Sequence, residues 1–130
     1  MRRTEQRRAA VVALYQQEIA RRPAADLLQR EATPFTRELV EGVESTREQL
    51  DALIERHSVG WTLDRIAPLE RSILRVALYE LIHRPDVPPE VAIDEAVECA
   101  KELCGAEAPG FLNGILGTVQ RADPRAAAPR

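Results

Sequence analysis

The stretch "PLERSILRVALYELI", Pro68 to Ile82, constrains the fold more than any other. On a helical wheel, at about 100° per residue, its apolar side chains spread over more than half of the circumference. Leu69, Ile73, Val76 and Ala77 cover one side, and Leu74, Leu78, Leu81 and Ile82 extend it. A helix this apolar is central to a bundle or is shared with a partner. Glu80 falls inside the apolar arc, between Leu69 and Ile73. A carboxylate there must be paired or hydrogen-bonded. The structural reading gives it an arginine or the free N–H groups of a helix start. A catalytic reading lacks a second acid or base beside it in the sequence.

The remaining pattern is also helical. Val11, Leu14, Tyr15 and Ile19 predict a helix from Thr4 to Ala20, ended by Pro23. "PAADLLQREA" predicts a short helix with Pro23 in its first turn. "TPFTRELVEGVESTREQLDALIERH" predicts one long helix, with Thr33 as N-cap and Pro34 as first residue, broken at Gly60. "HRPDVPPE" forces a turn after Ile82. Asp94 is then expected as an N-cap, and Ala96, Val97, Cys99, Ala100, Leu103 and Cys104 share one arc. Gly105 stands where a left-handed C-cap belongs. "GFLNGILGTVQ" is the last helix, where Gly110, Gly114 and Gly117 are expected to allow close backbone packing. No stretch alternates as a strand does. The expected architecture is all-α, a compact bundle of six to seven helices. It forms one domain over residues 1–122, followed by a disordered Pro/Ala-rich tail over 123–130.

The charge is distributed unevenly. Arg2, Arg3, Arg7 and Arg8 against Glu5 give the first eight residues a net charge of +3, in a chain of net charge −3. The other 122 residues therefore carry −6. Seventeen arginines against the single Lys101 suggest a coding bias, so placement is more informative than abundance. Arg3, Arg7 and Val11 share one i, i+4 row that changes from cationic to apolar. The apolar half must pack, and the cationic half is expected to project past the core edge. A helix start prefers acidic residues, because its partial charge is positive. Arginines become favourable there when an anion arrives, since N–H groups, dipole and guanidiniums then all favour phosphate. Gln6 adds a donor and acceptor at the same end. A solvated charged end without function is the plain alternative.

Other functions have little support. No Gly-rich phosphate loop, GxSxG or HExxH motif is present, and no Cys–His pair can be named. Cys99 and Cys104 would point about 140° apart on one helix, too far for a disulfide. His57 and His83 stand alone, so neither a metal nor a cofactor is expected. No apolar run approaches the ~20 residues of a membrane span, and the basic start lacks a secretory cleavage site. A cytoplasmic location is expected by default. Asn113 is either a buried amide or part of a binding edge, and Trp61 is expected to anchor the turn near Gly60.

The second half carries a recognisable set of segments. "LRVALYEL" (74–81), "DVPPEVAIDEAVECAK" (86–101) and "FLNGIL" (111–116) occur in the order and spacing of the antitermination factor family NusB, which the chain resembles over about residues 2–119. The front, "RRTEQRRAAVVALY", is similar to that family's arginine-rich start. The loop before Phe111, "GAEAPG", departs from the family in lacking the basic residues often seen there.

The resemblance implies two packed helical subdomains and a non-enzymatic role. It implies pairing with a small-subunit ribosomal protein, NusE, and binding of boxA-type single-stranded RNA in nascent ribosomal transcripts. It also implies joining the elongating RNA polymerase with other Nus factors; some members form homodimers. RNA contacts carry over to Arg2, Arg3, Arg7 and Arg8, with Gln6 added as an RNA-binding candidate by its place at the same helix end, and partner contacts carry over to Glu70 and Leu74, at the start of the apolar helix. A helical module that binds only protein, and whose partner holds the RNA, is the alternative.

Overall fold

A computed structural model describes residues 2–23, 26, 28 and 32–122. Among these residues there are six α-helices, one 3-10 turn and no strand. The helices are α1 (Arg3–Ala20), α2 (Pro34–Ser45), α3 (Arg47–His57), α4 (Pro68–His83), α5 (Pro89–Leu103) and α6 (Ala108–Ala122). The 3-10 turn is Leu63–Arg65. The short helix expected over 23–32 lies mostly outside the described residues, and the tail 123–130 lies wholly outside them.

The all-helical architecture follows from α4. It packs against α1, α2, α3, α5 and α6, so each of the other five described α-helices uses it as a wall. Ile73, Leu74, Val76, Ala77, Leu78, Leu81 and Ile82 are all buried, as the wide apolar arc requires. The core continues through Leu14, Leu39, Leu50, Ile54, Leu112 and Leu116, and it is almost wholly aliphatic. Arg75 is buried on the same helix. Its guanidinium donates to Asp51 Oδ1 at 2.7 Å and to Glu18, which also accepts from Arg71 at 2.8 Å. Burial raises the Glu18 pKa, but the bonds from Arg71 and Arg75 outweigh it and hold that carboxyl below its ordinary value.

The segment expected as one long helix is two. Thr33 caps α2 as its sequence suggests, its side chain accepting from the Thr36 N–H at 3.2 Å, with Pro34 in first place. At Thr46 the chain leaves helical geometry (φ −117°, ψ 15°) for one residue. The Thr46 N–H and hydroxyl both donate to the Gly42 carbonyl, at 3.1 and 2.7 Å. A single residue out of phase leaves the apolar period nearly intact, which hides the bend from a pattern reading. Gly42 has a second role. The Tyr79 ring lies against it so closely that a β-carbon would fall 2.2 Å from Tyr79 Cζ.

Three further expectations are corrected, two of them helix boundaries. Helix α5 starts at Pro89, not after Asp94, because Pro89 supplies the fixed φ of a first helical residue. Asp94 is exposed in the helix interior. The helix ends on an extended Cys104 (φ −120°, ψ 176°), so Gly105 is not a left-handed cap. Gly60 does take positive φ, 81°, in the turn after α3. The glycines of α6 do not allow close packing. A β-carbon at Gly110 or Gly114 would meet nothing within 4 Å, and at Gly117 it would approach only the Arg121 side chain of the same helix.

Candidate nucleic-acid interface

The arginine-rich start is α1 itself. Arg2 is its N-cap, in extended conformation with no side-chain cap bond, so the first-turn N–H groups lack a side-chain partner from the cap. The start is tied to α2 by Gln6. Thr33 Oγ1 donates to the Gln6 side chain, and Thr36 Oγ1 donates to the Gln6 carbonyl at 3.0 Å. Gln6 therefore serves the packing of α1 on α2.

The four arginines divide into separate roles. Arg7 does not project past the core edge as expected; it is buried. Its Nε and Nη2 each lie 2.8 Å from an oxygen of buried Glu80, a two-pronged pair, and its Nη1 reaches Glu95 at 3.4 Å. Glu80 thus has an arginine, one of the two kinds of partner that its place in the apolar arc called for. The row turns inward because Glu80 offers a charge-assisted bond inside the bundle that water cannot match in geometry. Arg8 is largely covered and donates to Glu102 at 2.6 Å across to α5. Arg3 is half-exposed; its guanidinium lies over the Phe35 ring, 4.2 Å from the centroid, with Asp86 at 3.6 Å. Arg2 is exposed.

Two residues that sequence reasoning missed complete the surface. Arg84 donates Nε and Nη2 to the two oxygens of Asp86, at 2.9 and 2.8 Å, and its Nη1 lies 2.6 Å from Glu38. The bonds from Arg84 hold the Asp86 carboxyl well below the usual carboxylate range. Arg84 and Asp86 stand two apart in "HRPD", a spacing that could have signalled a local ion pair. Beside Arg8, Cys99 is buried, and desolvation pushes its thiol up to about 11, so it is not a reactive thiolate.

The NusB family model matches residues 4–121, nearly the whole chain. The chain belongs to the NusB family. A transcription antitermination protein NusB from Myxococcus xanthus (strain DK1622) is 44% identical over 126 residues, covering 87% of this chain and 90% of its own length. The solved structure of T. maritima NusB superposes with a TM-score of 0.85 at 31% identity, over 94% of this chain and 92% of that one. A chain in the crystal structure of the antitermination factors NusB and NusE in complex with dsRNA matches with a TM-score of 0.81 at 25% identity, over 94% and 99% of the two chains. NusB is a family of transcription antitermination factors and not of enzymes, which removes the catalytic reading of Glu80.

The NusB partner residues expected at the start of α4 separate in the same way as the arginines. Glu70 lies in the first turn of α4 and is partly exposed. Leu74 is fully buried in the core and offers no surface to a partner in this form of the chain. Asn113 is exposed, which excludes the buried-amide reading. Trp61 is half-exposed and meets Phe111 edge-on, with ring centroids 5.9 Å apart. Among the described residues no helix is long and apolar enough to cross a membrane.

Proposed function

We propose that this NusB-family chain binds boxA-type single-stranded RNA of nascent ribosomal transcripts together with the small-subunit ribosomal protein NusE, and joins the elongating RNA polymerase with other Nus factors. The RNA contacts fall on Arg2, Arg3 and Arg8, and Glu70 is a contact for the ribosomal protein. Arg7 and Gln6 leave the direct contact set, since both are engaged in packing. The observation that carries the reading is the uncapped start of α1 with Arg2 and Arg3 exposed on an otherwise acidic chain. The solved complex of NusB and NusE with dsRNA supports RNA and NusE as partner classes.

Arg3 and Arg8 already face the chain's own Asp86 and Glu102. That observation favours a second reading, in which the chain only engages protein and its partner holds the RNA. Energetics favour the first. The Arg3–Asp86 pair is half-exposed on both sides and the Arg8–Glu102 pair on its Glu102 side. Solvent-exposed pairs are worth about 0–1 kcal/mol, so a polyanion can displace them, whereas the buried Arg7–Glu80 pair is not available for exchange.

Co-purification with the ribosomal protein, followed by a gel shift with and without a boxA-type RNA, tests the reading. Tighter RNA binding by the pair than by the ribosomal protein alone, reduced when Arg2, Arg3 and Arg8 become Gln, supports it. Unchanged ternary affinity in that triple variant favours the protein-only module.

A further inference from the structure

Phe35 is the second residue of α2, placed under the first turn of α1 by the Thr33 cap and the two threonine bonds to Gln6. Three guanidiniums surround its ring, with carbons 4.2 Å (Arg3), 5.1 Å (Arg84) and 5.4 Å (Arg7) from the centroid. Two of the three are committed elsewhere. Arg7 is held by Glu80, and Arg84 by Asp86 and Glu38, and both side chains are nearly buried. Arg3 differs. Its side chain is 47% exposed, and Asp86 stands 3.6 Å away with both oxygens already accepting from Arg84. What fixes Arg3 is chiefly the face of an aromatic ring.

A ring face and a carboxylate hold an arginine in different ways. A carboxylate consumes the N–H donors it accepts from. A ring attracts the cation through its quadrupole and leaves the in-plane N–H donors open. Those donors match a phosphate in paired fashion. Holding the side chain beforehand also lowers the ordering cost of binding.

We propose that Phe35 is a positioning residue for RNA: its ring holds the Arg3 guanidinium with its N–H edge open to take a backbone phosphate. This rests on the reading that the start of α1 meets RNA. Lysine at position 3 keeps the charge but loses the stacked plane, so Arg3→Lys separates positioning from charge.

The test is the affinity of a fluorescent boxA-type RNA for the full chain paired with the ribosomal protein. Arg3→Lys and Phe35→Leu each weaken binding by about two- to fivefold. Phe35→Tyr binds as the wild type does, and Arg3→Lys adds no further loss in the Phe35→Leu background. Urea midpoints are followed throughout. Arg3 is half-exposed and only its stack on Phe35 changes in Arg3→Lys, so the test survives if Phe35→Leu unfolds. The Arg3 side-chain protons are also ring-current shifted in the wild type before RNA is added. Wild-type affinity in Arg3→Lys, or losses that multiply in the double variant, overturns the proposal while the RNA reading stands. A wild-type chain that adds nothing to RNA binding by the ribosomal protein overturns both.

Discussion

Arg7 and Glu80, 73 positions apart, close a two-pronged ion pair inside the bundle, with Nε and Nη2 each 2.8 Å from a carboxylate oxygen. The pair joins α1 to α4, and Glu95 of α5 reaches the same guanidinium. An arginine from a cationic, surface-seeming row therefore holds three helices together.

Removing one partner leaves the other charged and buried. Arg7→Ala or Glu80→Gln is expected to destabilise the chain by about 3–5 kcal/mol. Replacing both by apolar residues of similar size recovers much of that loss, because no charge is then stranded. Urea denaturation of the two single variants and the double variant measures the difference.

The contrasting glycines give opposite signs. Gly42→Ala drives a methyl group into the Tyr79 ring and is expected to cost about 1 kcal/mol net, an overpacking cost of about 2 kcal/mol less about 1 kcal/mol of regained helix propensity. Gly114→Ala meets open space and restores helix propensity, a gain of up to about 1 kcal/mol. Thermal melts of the two variants should bracket the wild type.

Much of this was legible from residues alone. The apolar girth of Pro68–Ile82 placed α4 at the centre, and the same wheel placed Glu80 inside with an arginine as one partner. Which arginine it would be was not legible. The i, i+4 row of Arg3, Arg7 and Val11 shows where side chains point along α1 but not what the facing helices offer. Arg7 meets two carboxylates from α4 and α5, whereas Arg3, one turn earlier, lies beyond them over Phe35. Arg75 was hidden for the same reason, since its partners Glu18 and Asp51 come from two other helices. Leu74 fits the family's partner region by position, but burial is a property of the packed bundle. The Thr46 bend escaped because one non-helical residue barely shifts an apolar period.

Acid should weaken the fold through Glu18. Its carboxyl is held below its ordinary value in the folded chain, so its contribution is complete above the unfolded pKa of about 4.3. That contribution is lost as pH falls through the lower folded pKa, since the unfolded chain then binds more protons. Melting temperature should fall with acidification below about pH 4, more steeply in the wild type than in Glu18→Gln. Equal slopes in the two proteins would remove Glu18 from the account.

Salt reports how many arginines meet RNA. Four phosphate contacts with a single strand would contribute a log–log slope of about −3, but burial of Arg7 leaves Arg2, Arg3 and Arg8, and a contribution of about −2. Titrations at several salt concentrations, with the slope of the ribosomal protein alone subtracted from that of the pair, distinguish the two values.

The most direct test of the divided arginine cluster is RNA affinity measured beside stability in one variant, Arg2→Gln/Arg3→Gln/Arg8→Gln, paired with the ribosomal protein. The division predicts a loss of about tenfold or more in affinity, a flattened salt dependence, and an urea midpoint close to wild type. Wild-type affinity in that variant, with the fold intact, would contradict it.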